Sequence, residues 1–175
     1  MNTFTDNRDG SIYETVKIGK QIWLAENLHY RGPVKRFNGW TVEEKDFYLP
    51  PNGQQKNISK YGCLYTWDNA LKAVPEGWHL PQLKEFNDLL KYSGSIKVFV
   101  EFKALATPDW NGDNSLDFKV MPSGGYYGSY YHYFGSEAIF WLTTEVPYYG
   151  HLGSGYADIN MGCKDYAFSV RCVKD

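Results

Sequence analysis

Few residues in this chain could make or break a covalent bond. The histidines are His29, His79, His132 and His151, and the cysteines are Cys63, Cys163 and Cys172. No G-x-S-x-G, no H-E-x-x-H and no phosphate-cradling glycine loop occurs. The three cysteines lack zinc-ligand spacing, allow at most one intrachain disulfide and leave a thiol over. That odd set does not fix a redox compartment. His79, beside Trp78 in "GWHLP", reads as a structural residue.

Metal chemistry has one candidate stretch, "DWNGDNSLD". It carries side-chain oxygens at Asp109, Asn111, Asp113, Asn114 and Asp117. Calcium takes about six to eight oxygens, often from alternating positions in one loop. Asp109, Asn111, Asp113 and Asp117 are therefore candidate calcium ligands. No glycine or terminal glutamate falls in EF-hand register. The competing reading is a turn rich in Asn, Asp and Gly, anchored to the core by Trp110. Calcium is the one cofactor the sequence raises, and nothing in it requires a cofactor.

Contact chemistry is better supplied. Aromatic residues make up 18% of the chain, including 15 Tyr and 6 Trp. Five tyrosines fall within the eight residues 126–133. Tyr126-Tyr127 and Tyr130-Tyr131 are adjacent pairs, so simple strand alternation fails there. Gly128, Ser129, Gly135 and Ser136 interrupt the run. Tyrosine, serine and glycine are the residues antibody loops favour, because a rigid amphipathic ring gives contact area at small entropic cost. The candidate contact residues are Tyr126, Tyr127, Ser129, Tyr130, Tyr131, His132 and Tyr133. A second cluster, "PYYGHLGSGYADIN", adds Tyr148, Tyr149, His151, Ser154, Tyr156, Asp158 and Asn160. The competing reading makes Tyr126 to Phe134 a strand with half its rings in the core. An exposed loop is expected, ending near Gly135-Ser136. Ile139, Phe140 and Trp141 after it are expected in a core strand.

The bulk numbers narrow the partners. The formal net charge is −2, from 18 basic and 20 acidic residues, which is no footprint for nucleic acid. No apolar stretch approaches membrane-spanning length. The opening "MNTFTDNRDG" is polar and does not read as a signal peptide. At 175 residues, one domain with a real core is expected. A protein or a glycan ligand remains, since aromatic rings suit both.

The elements that must position these residues follow from periodicity. Ile12, Val16 and Ile18 predict a strand, and Gly19-Lys20 a tight turn before a second strand over Gln21 to Leu24. Asp9-Gly10 predicts a turn before the first strand. Residues 30–60 have no clean period and read as a surface excursion with a short strand near Phe47 and Tyr48. Leu64, Trp67, Leu71 and Val74 predict a helix that Pro75 ends. Leu83, Phe86, Leu89 and Leu90 predict a second, started by Pro81 and stopped by Gly94. "VFVEFKAL" is a strand or a short helix, and "DFKVMP" alternates with Phe118 and Val120 on one face. "FSVRCV" predicts a half-buried C-terminal strand. Segregated helices and strands make the class α+β.

At this point the chain resembles the Fibrobacter succinogenes major paralogous domain family. The resemblance rests on "TDNRDGSIYETVKIGKQIWLAENL", "KYGCLYTWDNAL", "PEGWHLPQLKEF", "DWNGDNSLDFKVMPSGGY", "FWLTTE" and "YAFSVRCVKD". These blocks run in family order from Thr5 to Asp175. The resemblance implies a C-type-lectin-like fold: neighbouring N- and C-terminal strands, two helices flanking the sheet, and a loop region carrying the binding surface. It also implies an exported or surface-attached bacterial protein, an adhesin or recognition module rather than an enzyme. "GWHLP" and "FSVRCV" are similar to formylglycine-generating enzymes, which makes such an enzyme the first alternative. Those enzymes need a closely spaced cysteine pair, and Cys163 and Cys172 are not spaced that way. A structural part of a surface assembly or pilus is the second.

Departures accompany the resemblance. Many relatives carry a Cys just before "P-x-G-W-H-L-P", where this chain has Val74. Cys172 then either finds Cys63 or stays a buried thiol, and the buried thiol is expected. The stretch after "FWLTTE" departs from the common pattern, and the lectin signatures Glu-Pro-Asn, Gln-Pro-Asp and Trp-Asn-Asp are absent. Some C-type-lectin-like proteins are targets of diversity-generating retroelements, which mutate Asn-type codons toward Tyr, Ser, His, Asp and Gly. By that resemblance, residues 126–160 are expected to contain a variable ligand surface.

Overall fold

A computed structural model of the protein describes residues 2–37, 40–43, 47–93, 102–153 and 156–175. Strand β1 (Asn2–Thr5) pairs antiparallel with β2 (Ile12–Ile18), and β2 with β3 (Gln21–Leu24). The predicted turns lie between them, with Gly10 at φ 78° and Gly19 at φ 60°, a region in which glycine carries no Cβ penalty. A hairpin of β4 (Val34–Phe37) and β5 (Trp40–Glu43) follows. Next come the short helix α1 (Ile58–Tyr61), strand β6 (Leu64–Thr66), helix α2 (Trp67–Ala73), strand β7 (Trp78–His79) and helix α3 (Leu83–Tyr92). The remainder supplies β8 (Gly125–Tyr127), β9 (Tyr130–His132), β10 (Ala138–Leu142), β11 (Tyr148–Gly153), β12 (Tyr156–Met161), β13 (Ala167–Ser169) and β14 (Val173–Lys174).

Two larger sheets result. One has the order β1-β2-β3-β14-β7. The other runs β12-β11-β10-β13-β8-β9, with β6 also on β13. The architecture is mixed α+β, mostly sheet. One buried cluster centres on Tyr13, Tyr65, Trp67, Trp141 and Phe168. The second centres on Trp23, Phe86, Phe118, Phe140 and Leu152.

Several expectations change. The terminal strands share a sheet but are not neighbours, because β14 joins the free edge of β3 and β2 separates β3 from β1. The helix expected from Leu64 begins only at Trp67, because Leu64–Thr66 is held as a strand against β13. Its buried residues are Trp67, Ala70 and Ala73, while Leu71 is 48% exposed. Val74 takes extended ψ 127° before Pro75, as proline sterics require. Helix α3 buries Phe86 and Leu89 and carries a Gln82/Glu85 capping box. Gly94 and the first half of "VFVEFKAL" lie outside the described residues, with Phe102–Ala104 forming one 3-10 turn. The excursion over residues 30–60 is not all surface, since Tyr30, Phe47 and Ile58 are buried. Phe118 and Val120 are both buried, but Asp117 and Lys119 sit at positive φ, so no regular strand forms.

"FSVRCV" is buried on both parities rather than one, because the chain crosses there from one sheet to the other. Its amide partners change with it: Leu28 N–H donates to the Val170 carbonyl and Leu24 N–H to that of Cys172. Arg171, only 2% exposed, lies at this crossing. Its Nη2 and Nε donate to Asn27 Oδ1 at 2.7 and 3.0 Å, and Nη1 donates to the Phe118 carbonyl. The guanidinium also lies 4.5 Å from the Phe118 ring centroid. Asn27 Nδ2 donates to the Tyr61 carbonyl at 2.9 Å, and Ser169 Oγ lies 2.8 Å from Ser123 Oγ. A buried cation is tolerated when it is hydrogen-bonded, and here each guanidinium nitrogen donates to a carbonyl or amide oxygen.

Candidate functional site

The tyrosine run is a β-hairpin, not a loop. Tyr126 pairs with Tyr131 and Tyr127 with Tyr130 across Gly128-Ser129. Both turn residues have positive φ, 56° and 70°, the geometry of the two-residue turn that matches strand twist. The adjacent tyrosines that defeated alternation are thereby divided between two faces. Tyr126 and Tyr131 pack on each other at 5.0 Å, and Tyr131 lies over Gly53. Tyr127 faces the other way and stacks on His132 at 4.0 Å and 14°. His132 Nε2–H donates to the Tyr127 carbonyl at 3.2 Å, which sets its tautomer. Tyr130 is 70% exposed, and Ser129 forms the tip.

The second cluster is also strand. In β11 and β12 the register pairs Tyr149 with Asn160, His151 with Asp158 and Gly153 with Tyr156. These residues share the face of Ile139 and Trp141 on β10. Tyr148 lies on the opposite face, against the second core cluster with Ala157 and Ile159. Ser154 lies outside the described residues.

The two segments meet through their rings. Tyr127 lies 6.4 Å from Tyr133, Tyr133 5.8 Å from His151, and His151 6.3 Å from Tyr149. Tyr149 lies 4.7 Å from Phe168, Phe168 5.9 Å from Tyr166, and Tyr166 5.3 Å from Tyr127. The six rings close a circuit around a cleft of about 130 Å³, whose lining Ile139 completes. Larger hollows exist elsewhere, including one of about 680 Å³ beside Lys20, Glu85 and Tyr92, but they gather no comparable set of rings.

At one side stands Glu137. Its Oε1 accepts from Tyr156 Oη at 2.7 Å, and its Oε2 accepts from His151 Nε2. The side chains of Glu137 and His151 are only 14% and 13% exposed. Gly153 makes the bond to Tyr156 possible: a Cβ there would lie 2.3 Å from Tyr156 Cζ. Burial, then the Glu137 carboxylate, pushes the Tyr156 hydroxyl pKa up. Burial, then the Tyr133 hydroxyl, does the same at Tyr127. Burial chiefly raises Tyr149, with Asp158 adding to it.

The structure thus brings together Tyr127, His132, Tyr133, Tyr149, His151 and Tyr156, with Asp158 and Asn160 on the same sheet face. It sets Tyr126, Ser129, Tyr130, Tyr131 and Tyr148 apart from the cleft. Sequence reasoning missed Glu137, Tyr166 and Phe168. Glu137 left one readable sign, a lone charge one step before the apolar run Ala138–Leu142.

The metal candidates serve a turn. Asp109 pairs with Lys60 at 2.8 Å, and Asp113 Oδ1 accepts from Ser115 N–H at 2.9 Å. Asn114 Oδ1 accepts from Lys119 N–H at 2.7 Å, and Asn111 and Asp117 hold left-handed backbone at φ 56° and 52°. Trp110 is half-buried against the second core cluster. Among the described residues no three His, Cys, Asp or Glu side chains group as a metal site. The three cysteines are free, with Cys163 exposed. Burial pushes the Cys63 and Cys172 thiols up to about 12.

Fold and site together define a sheet-rich α+β protein with a ring-lined cleft on one sheet face, Glu137 standing beside it. The chain matches the model of the Fibrobacter succinogenes major domain over residues 16–174 and belongs to that family. No curated protein and no solved structure matches it.

Proposed function

We propose that the chain is a C-type-lectin-like recognition domain that binds rather than catalyses, at or outside the cell surface. Its contact surface is the ring-lined face of β11, β12 and the β8–β9 hairpin, and its ligand is a protein or a glycan. The observation that carries this is the closed circuit of Tyr127, Tyr133, His151, Tyr149, Phe168 and Tyr166. Pre-packed rings give contact area without a large ordering cost. The return of β14 to the sheet of β2 and β3 supports the lectin-like fold. Two inaccessible thiols raised to about 12 favour recognition over cysteine oxidation chemistry.

A glycan and surface-protein array tests the proposal. The wild-type chain should find a ligand that a folded Tyr133→Ala/Tyr149→Ala double variant loses. Undiminished binding by that variant would refute this face as the site.

A further inference from the structure

Three features of the cleft point to one ligand chemistry. Its walls are rings, whose faces carry negative quadrupole potential. Its lining contains no Lys or Arg. The nearby charges are carboxylates: Glu137 acts on Tyr127 and Tyr156, and Asp158 acts on Tyr149 and Tyr156. Each Glu137 oxygen accepts one hydrogen bond, from Tyr156 and from His151, which holds the carboxylate in place beside the cleft. Glu137 thus sets a carboxylate at the edge of the ring circuit. A neutral sugar would use the rings but gain nothing from the charge. An anion would be repelled by it. A volume of about 130 Å³ admits a small compact group rather than a chain.

Building on the recognition role proposed above, we infer that the cleft binds an alkylated ammonium group, by cation–π contact with the ring circuit and long-range attraction to Glu137 and Asp158. Aromatic-lined sites hold such cations more firmly as they are desolvated. The group could be borne by a methylated lysine side chain or by a choline headgroup, and the neighbouring carboxylates favour the carrier without a phosphate.

Tyrosine-ring NMR with tetramethylammonium as probe tests this, with tert-butanol as neutral isostere and methyl glucoside as sugar. Saturable shifts at Tyr127, Tyr133 and Tyr149 are expected with tetramethylammonium. Glu137→Gln and Tyr149→Leu should each weaken binding by about tenfold, while Tyr149→Phe, which keeps the ring, stays within about threefold. Equal or tighter binding of tert-butanol or methyl glucoside, or no shift with the cation, overturns the inference. Trimethyl-lysine and phosphocholine then separate the carriers, and tighter binding of either than of its unmethylated ammonium counterpart supports alkylation as the feature recognised. If the cation fails while the array ligand is lost in the double variant, only the ligand class falls. If the array ligand survives in that variant, the recognition face itself falls.

Discussion

His79 joins two carboxylates that lie far apart in the chain. Nδ1 reaches Asp175 at 2.7 Å, and Nε2 reaches Glu85, the capping residue of α3, at 3.0 Å. Burial opposes charge on the ring, but the bonds to Asp175 and Glu85 outweigh it and raise the pKa above the ordinary histidine value. Stability from a raised pKa is complete below the unfolded value and disappears as pH rises through the folded one. His79→Gln should therefore lower the melting temperature at pH 6, with the difference shrinking by pH 9. Thermal melts of both proteins across that range check it, and a pH-independent difference would contradict it. Gly153 gives a second test. Gly153→Ala forces the Tyr156 ring off Glu137 and should cost about 1–3 kcal/mol. Adding Tyr156→Ala should recover part of that loss, which a double-mutant cycle in urea would show. At this scale tyrosine content pointed to the strands that line the cleft, but not to Glu137. A single acid carries no period, and only the register of β10 against β11 places it beside His151.

Turn chemistry decides the next scale. Gly128-Ser129 closes the β8–β9 hairpin with both residues left-handed, and only the first is glycine. A non-glycine residue there carries a steric penalty of roughly 1 kcal/mol. Ser129→Gly should raise the melting temperature by ~1–3 °C, measured by calorimetry. The run from Tyr126 to Tyr133 read as a loop because adjacent identical residues hide period-two alternation. In a hairpin, alternation resumes on each strand, with Tyr127 and His132 on one face and Tyr126 and Tyr131 on the other. Strand β10 was legible because all five of its residues are buried, which an unbroken apolar run announces. The start of α2 was not, because pairing of β6 with β13 is non-local and overrides a helical spacing.

Across the whole molecule, the family blocks converge on one buried point. Arg171 comes from the last block, Phe118 and Ser123 from the fourth and Asn27 from the first, and they meet at the crossing between the sheets. Arg171→Met should strand the Asn27 and Phe118 oxygens and cost roughly 3 kcal/mol or more, read from the urea midpoint. If residues 126–160 are a diversified surface, near-copies of this gene should differ at Tyr127, Tyr149, His151, Tyr156, Asp158 and Asn160. They should keep Gly150, Phe140 and Trp141, which the core requires. The recognition face itself is most directly tested by tyrosine-ring NMR of the wild-type chain with its array ligand. The rings of Tyr127, Tyr133, Tyr149 and Tyr166 should shift together while the buried Tyr13 and Tyr65 stay put. Shifts confined to Tyr92, beside the larger hollow, or absent from all four cleft tyrosines, would contradict it.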